Sequence, residues 1–460
     1  MAGTRLRLGE DFIPLPLLPS LPYGSRLQAE NAPAFYAGRI GDSLTPPLLA
    51  QGAGKLVVFA PALGDDGKPA GSLFSHGPPP AFPGAAGVAF ATLDIIPPHR
   101  LDFLKQSQLV LTSTMDDVRG IPLGLLISAS TAERLFGAPL ASLKRGTTGK
   151  PLGGQAKFTE TPTPAPARNV VAILRGSDPK LKGEYLAIGA HNDHLGVLPG
   201  AEAVDHDSLR LSNAVARPEG ENKPPLPLTS AQAAAIHREL DALRRVRPAR
   251  PDSIFNGADD DGSGSVTVLE IAEALARGPD RPKRSVLFVW HTAEEKGLYG
   301  SQWFTDHPTV PRDSIVAQLN MDMVGRGRAS DVEGGGPNAV GLVGSRRLST
   351  ELGDLIEQIN RRRQPAFVID YHYDANGHPD NVYCRSDHYM YARYGIPIAF
   401  FSTGIHRDYH QVTDEPQYID YEHMARVAGF VRDVALGVAN LDHRPVVDQT
   451  KPDPKAPCHQ

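Results

Sequence analysis

A chain of 460 residues is too long for one hydrophobic core and implies two domains, with room for insertions. The net charge of −5 is modest and no long Lys/Arg run occurs, so nucleic acid and anionic membranes are poor partners. No stretch approaches the roughly 20 uninterrupted apolar residues of a membrane helix. Met1 to Arg7 carries basic residues with no apolar run behind them, so no signal peptide is visible.

Residues 1–54 are rich in Pro and Gly and predict an irregular N-terminal segment. Short β-like runs follow at Lys55–Ala60, Gly87–Asp94, Leu109–Thr114 and Pro122–Ser128, with a helix at Thr131–Phe136. Gly/Pro clusters between them punctuate a small β-rich domain over residues 55–160. Thr159–Arg168 reads as a linker.

The pattern changes at Asn169. Val170–Leu174, Tyr185–Ala190, Ser285–Trp290, Ile315–Met321 and Ile396–Ser402 read as strands. Ser263–Ala276 reads as a helix, with Val268, Ile271, Ala272 and Leu275 on one face and Gly278 as its stop. Leu348–Ile359 and Met424–Val438 give two further helical stripes. The alternation predicts an α/β fold over residues 169–440, a three-layer αβα arrangement around a mostly parallel sheet. Such sheets place their sites at strand C-terminal ends.

Residues 197–253 interrupt this scheme. They are polar and Pro-rich, with a helix at Ser230–Arg245, and read as an insertion beside the site. A solvated excursion is the expectation, a wall that narrows access the alternative. Arg244, Arg245, Arg247 and Arg250 read as a solvated face. Residues 441–460 predict a disordered tail. Cys458 sits in that tail, so a disulfide to Cys384 is not expected, and neither cysteine forms a zinc-type pair.

Five short patches carry the chemistry: His191-Asn192-Asp193, Asp259-Asp260-Asp261-Gly262, Glu294-Glu295, Asn320-Met321-Asp322 and Tyr409-His410. Most follow an apolar run; the second opens a helix. A zinc ion takes about four ligands at roughly 2.0–2.2 Å from His and carboxylate groups. Two neighbouring dications need a shared carboxylate, and Asp260, presented by a Gly-rich turn, is the natural bridge. His191 and Asp322 would complete one ion, Glu295 and His410 the other. Three carboxylates against two dications leave one positive charge, which a bridging hydroxide neutralises. Adjacent residues of an extended segment point to opposite sides. Glu295 can therefore bind metal while Glu294 faces the bridging water as general base. Asp193, two residues from His191, is placed to hold its tautomer. Tyr409 is placed to donate to a tetrahedral oxyanion. Each patch alone has a bland reading: a solvated Glu pair, a surface loop, a turn or a calcium loop. The Asp run lacks the spaced oxygens of an EF-hand. His194, His388 and His406 read as supporting residues.

The runs AIGAHNDHLG, NGADDDGSGSVTVLEIAEAL, VLFVWHTAEEKGLYGS, LNMDMVGR and YHQVTD together resemble the zinc aminopeptidases of peptidase family M28, across residues 169–440. The upstream GVAFATLD and IPLGLLIS are similar to a protease-associated (PA) domain. The resemblance implies a zinc exopeptidase fold and two zinc ions held by His191, Asp260, Glu295, Asp322 and His410. It implies hydrolysis of N-terminal peptide bonds, with Glu294 as base, Asp193 orienting the first His and Tyr409 on the oxyanion. It also implies a cis Asp260–Asp261 peptide and secretion or export to a periplasm. Carboxypeptidase, dipeptidase or glutaminyl cyclase chemistry on the same scaffold is the alternative, as is a silent binding protein. The pocket for the N-terminal side chain is expected at 370–405, where Tyr371, Tyr373, Tyr383 and Phe401 are equally core candidates.

Overall fold

The computed structural model describes residues 6–15, 23–24, 26–63, 82, 84–96, 101, 104–105, 109–111, 121–198, 203–279, 281–328, 330–332, 334–456 and 458–460. They fall into two compact units, Met1–Pro164 and Ala165–Gln460.

Unit 1 holds a six-stranded sheet in the order β1-β5-β4-β3-β2-β6. Its strands are β1 (Phe12–Pro14), β2 (Arg26–Arg39), β3 (Leu56–Ala60), β4 (Gly87–Phe90), β5 (Gly124–Ile127) and β6 (Thr148–Lys157). The described residues among the first 54 are therefore not irregular: β2 alone runs 14 residues, and α1 (Pro46–Gln51) follows it. Its inward residues are mostly small, with Ala29, Ala32 and Ala34 in one buried cluster and Ala37 in another, so the hydropathy signal is faint. β6 is faint for the opposite reason, being mostly solvent-facing. Leu109–Leu111 forms no strand, and 112–114 lie outside the described residues. The helix α2 (Ala129–Phe136) is set by Ser128, whose hydroxyl accepts from the Thr131 N–H, and ends at Gly137 in the left-handed region.

Unit 2 is built on seven strands. They are β7 (Val170–Leu174), β8 (Tyr185–His191), β9 (Ser285–His291), β10 (Ile315–Met321), β11 (Ala339–Val343), β12 (Val368–Asp370) and β13 (Ile398–Ser402). Their order is β12-β11-β13-β10-β8-β9-β7. The inner four are mutually parallel; β7 and β11 run antiparallel to their inner neighbours. Buried on both faces, β8 reads as an apolar run up to His191, and β10 as an apolar run interrupted by Gln318 and Asn320, which bond each other. Leu186, Ile188 and Ala190 face one layer, with α5 (Gly264–Arg277), α7 (Thr350–Arg361) and α9 (Tyr421–Asn440). Tyr185 and Ala187 face the other, with Phe304 of α6 (Tyr299–Asp306) and Tyr391 of α8 (His388–Ala392). The fold is thus mixed α/β in three layers.

The segment 197–253 carries α3 (His206–Ala216) and α4 (Ser230–Arg244). α4 buries no residue, as a solvated excursion would. Arg245, Arg247 and Arg250 are exposed, as expected, and three of the four arginines also hold carboxylates. Arg244 pairs with Asp205 and Asp207, Arg247 with Asp207, and Arg250 with Asp252 and Glu415. They staple the segment to itself and to the rest of unit 2.

The C-terminal residues are not a loose tail. His443 pairs with Glu351, the Asp448 carboxylate accepts from the Thr350 N–H, and Gln460 binds the backbone of Tyr373, Ala375 and Tyr383. This path brings Cys458 back to Cys384, and the two form a disulfide 74 residues apart in sequence. Sequence distance hid the pairing. Closing a loop of that length removes about 4 kcal/mol of chain entropy from the unfolded state. Cys458→Ser is expected to lower thermal stability by a comparable amount, read by denaturant melting with and without reductant. An unchanged midpoint would show that the tail's hydrogen bonds suffice.

Candidate metal centre

The site lies at the C-terminal ends of β8, β9 and β10. β8 ends on His191, β9 leads to Glu294-Glu295 through Ala293 with positive φ, and β10 leads to Asp322. Three neighbouring Asp residues divide the work of the second patch. Asp259 accepts from the Gly325 N–H at 2.6 Å and faces His406 at 3.0 Å. Asp261 accepts from the N–H groups of His191 (3.0 Å) and Gly264 (2.8 Å). The Asp414 carboxylate accepts from the N–H groups of Asp259 (2.9 Å) and Asp260 (3.1 Å). Asp260 is left with its side chain free for the cleft, and its peptide bond to Asp261 is cis, as expected. Gly264 is required there, because a Cβ would overlap the Asp261 carboxylate.

The two Asp260 oxygens face different histidines. Oδ1 lies 3.0 Å from His191 Nε2, and Oδ2 lies 3.1 Å from His410 Nε2. Asp322 Oδ2 is 3.8 Å from His191 Nε2, and Glu295 Oε2 is 3.2 Å from His410 Nε2. His191, Asp260 and Asp322 form one donor group. His194, Asp260 and Glu295 form the second, with His194 Nδ1 2.6 Å from Glu295 Oε1, so His194 stands in this group where His410 was expected, and His410 lies against the same two carboxylates. A tetrahedral ion with bonds of roughly 2.0–2.2 Å spaces its donors about 3.3–3.6 Å apart; the 3.0 and 3.8 Å of the first group bracket that spacing, and the 3.1 and 3.2 Å around His410 lie just below it. No Arg or Lys among the described residues is ion-paired with Asp260, Glu294, Glu295 or Asp322. Buried carboxylates gathered around imidazoles, with no Arg or Lys paired to them, are a donor set that suits a metal. A third group, His206, Asp252 and Glu415, differs on this point: Arg250 already spans its two carboxylates.

The electrostatics reflect the crowding. Burial alone would raise the Asp260 carboxyl, yet His191 and His410 hold it far below the usual carboxylate range. Burial works against the charged His410 ring, but Asp260 and Glu295 push it up to about 10. Burial, reinforced by Glu295, Asp322 and Asp387, carries Glu294 well above its ordinary value against the pull of His191.

Two sequence expectations change in detail. His191 Nδ1 meets the Asp193 backbone carbonyl at 3.0 Å, while the Asp193 carboxylate stands at 3.7 Å. That carboxylate instead accepts from the Glu294 N–H at 3.0 Å. Asp193 thus touches both the imidazole and the Glu pair, the first through its backbone. The cleft beside the site is lined by Met323, Val340, Leu342, Val382, Phe400 and Ile405, with Tyr373 as its aromatic wall. Tyr383 and Phe401 are core residues, and the Tyr371 hydroxyl binds Glu357.

Sequence reasoning missed Arg385 and Ser386. Arg385 Nη2 donates to the Tyr409 hydroxyl at 3.0 Å, and Ser386 donates to Asp322 at 2.7 Å. Their adjacency to Asp387-His388 in a polar run, inside an otherwise apolar stretch, was the available signal. His388 is structural, stacked on Phe400.

The sequence profile of Peptidase family M28 matches residues 236–435, which include Asp260, Glu294, Glu295, Asp322, Tyr409 and His410. Leucine aminopeptidase 1 of Paracoccidioides brasiliensis (strain Pb03) is 32% identical over 184 residues, 37% of this chain and 44% of that protein. The chain spans a little under half the length of the curated relatives it matches. Among solved structures, an aminopeptidase from Aneurinibacillus sp. strain AM-1 aligns at 17% identity and a TM-score of 0.46, over 96% of this chain and 81% of that one. A zinc aminopeptidase from Bacillus subtilis aligns at 16% and 0.43, over 97% and 83%. Among the described residues no helix is long and apolar enough to cross a membrane. Residues 236–435, with the motifs they contain, are thus similar to peptidase family M28.

Proposed function

We propose that this chain is a dinuclear zinc aminopeptidase that hydrolyses the N-terminal peptide bond of peptides. The observation that carries the reading is Asp260, which offers one oxygen to each of two donor groups. His191, Asp260 and Asp322 would hold one zinc, and Asp260, Glu295 and His410 the other, with His194 fixing Glu295. When bound, the two ions would polarise the scissile carbonyl and acidify the attacking water. Mixed imidazole and carboxylate donors suit zinc among the available divalent metals.

The chain's own groups do the rest. Glu294 lines the cleft and makes none of the close contacts with His191 or His410 that the donor carboxylates make. It takes the proton from the attacking water and hands it to the departing amine. Tyr409, whose oxygen accepts from Arg385, directs its own proton at the carbonyl oxygen. The apolar cleft receives the N-terminal side chain, and favours Leu, Met or Phe over charged residues. We read unit 1 as the PA-like domain. The Cys384–Cys458 disulfide supports export, because such bonds persist in oxidising compartments.

The test is zinc content of the purified chain together with release of p-nitroaniline from aminoacyl-p-nitroanilides, with and without chelator. Near two zinc ions per chain, chelator-sensitive release and a leucyl rate well above the lysyl and glutamyl rates are expected. One ion, with cyclisation of an N-terminal Gln and no release, would replace this reading with the cyclase.

A further inference from the structure

The insertion reaches the site through α3 and the turn after it. Arg210 of α3 pairs with Asp408 at 2.6 Å, and Asn213 donates to Gln411 at 3.1 Å, so α3 grips the loop that carries Tyr409 and His410. The turn after α3 comes closer still. Gly220 has φ +55, and a Cβ there would overlap the Tyr409 carbonyl oxygen, so this position requires glycine. The next residue, Glu221, donates its N–H to that same oxygen at 3.1 Å.

Asn222 follows. Its amide nitrogen donates to Glu219 at 2.9 Å, which turns its oxygen toward Arg385. That oxygen accepts from Arg385 Nη1 at 2.7 Å. The other end of the guanidinium, Nη2, donates to Tyr409 Oη at 3.0 Å. Arginine has no acceptor, so the direction of both bonds is settled. Tyr409 Oη must accept, and its own hydrogen is left for the cleft that Tyr409 and Glu294 line together. Without Asn222, the Asp380 carbonyl at 3.5 Å is the only hydrogen-bond partner Nη1 keeps among the described residues, and a long flexible side chain loses its fixed end.

We propose that Asn222, in the inserted segment, is a positioning residue for the reaction: it holds Arg385 so that Tyr409 aims its proton at the carbonyl oxygen of the scissile bond. The inference rests on the peptidase reading above, with Tyr409 as the donor. It gives the insertion a role inside the site rather than around its mouth.

A double-mutant cycle tests it, with Asn222→Ala, Tyr409→Phe and the pair assayed on leucyl-p-nitroanilide. Asn222→Ala is expected to lower kcat about tenfold, the loss of one hydrogen bond to a charged group, with KM and zinc content unchanged. In the Tyr409→Phe background the same change is expected to cost less than twofold. Binding gives a second readout: the affinity for leucine phosphonate, a tetrahedral anion, falls about tenfold, and that for leucine does not. Arg385→Lys, which cannot bridge both partners, is expected to repeat the pattern. Equal losses in both backgrounds, or no loss, would overturn the assignment of Asn222 and leave the peptidase reading standing. A zinc-loaded wild type that releases no p-nitroaniline would overturn the peptidase reading itself, and this inference with it.

Discussion

Replacing Glu294 by Gln is expected to leave the zinc content unchanged and to lower kcat by on the order of 10²–10⁴-fold, the usual worth of a general base. The amide keeps the size and shape of the carboxylate. The backbone N–H of Glu294 still reaches Asp193, so the chain path between β9 and Glu295 holds. Glu295 keeps its own partners, His194 on one oxygen and His410 on the other. What disappears is the lone pair that receives a proton from water. A variant that holds both ions and loses turnover separates base from ligand. A variant that loses zinc in proportion to activity would make Glu294 a ligand, and one that keeps full activity would move the base elsewhere.

Three of the candidate patches were legible because they sit where a buried strand stops. His191, Glu294-Glu295 and Asp322 follow seven-residue strands that are buried almost throughout, so a carboxylate or imidazole at the boundary stands out against Val, Ile and Leu. The supporting contacts had no such contrast. His194 belongs to the same run as His191, and only folding shows that it turns onto Glu295, about a hundred residues on. Asn222 is one polar residue in a polar insertion, and its partner Arg385 lies 163 residues away. The role of Asp193 turned on whether its carbonyl or its carboxylate met the imidazole, which spacing cannot decide. The β2 strand escaped for a compositional reason, since its buried Ala residues carry little hydropathy.

Asp260→Asn is the second large effect. One amide oxygen cannot serve two positively charged positions, and the amide nitrogen would present hydrogens to either His191 or His410, at the places now held by acceptors. Zinc content is expected to fall below one ion per chain. Several kcal/mol of transition-state stabilisation goes with the metals, so kcat/KM drops by on the order of 10³-fold or more. The backbone of the site does not depend on this side chain. Asp414 holds the Asp259 and Asp260 N–H groups, and Asp261 holds His191 and Gly264. The variant should therefore fold, and its stability tells the two roles apart. A ligand present at about a thousand times its Kd adds roughly 4 kcal/mol to the folded state. Chelation should remove that from the wild type, lowering Tm by roughly 6 °C for a unit the length of Ala165–Gln460. In Asp260→Asn chelation should change Tm hardly at all, because there is little bound metal to remove. If the variant melts as the zinc-loaded wild type does and still responds to chelator, the bridge is not Asp260 and the two-ion reading falls.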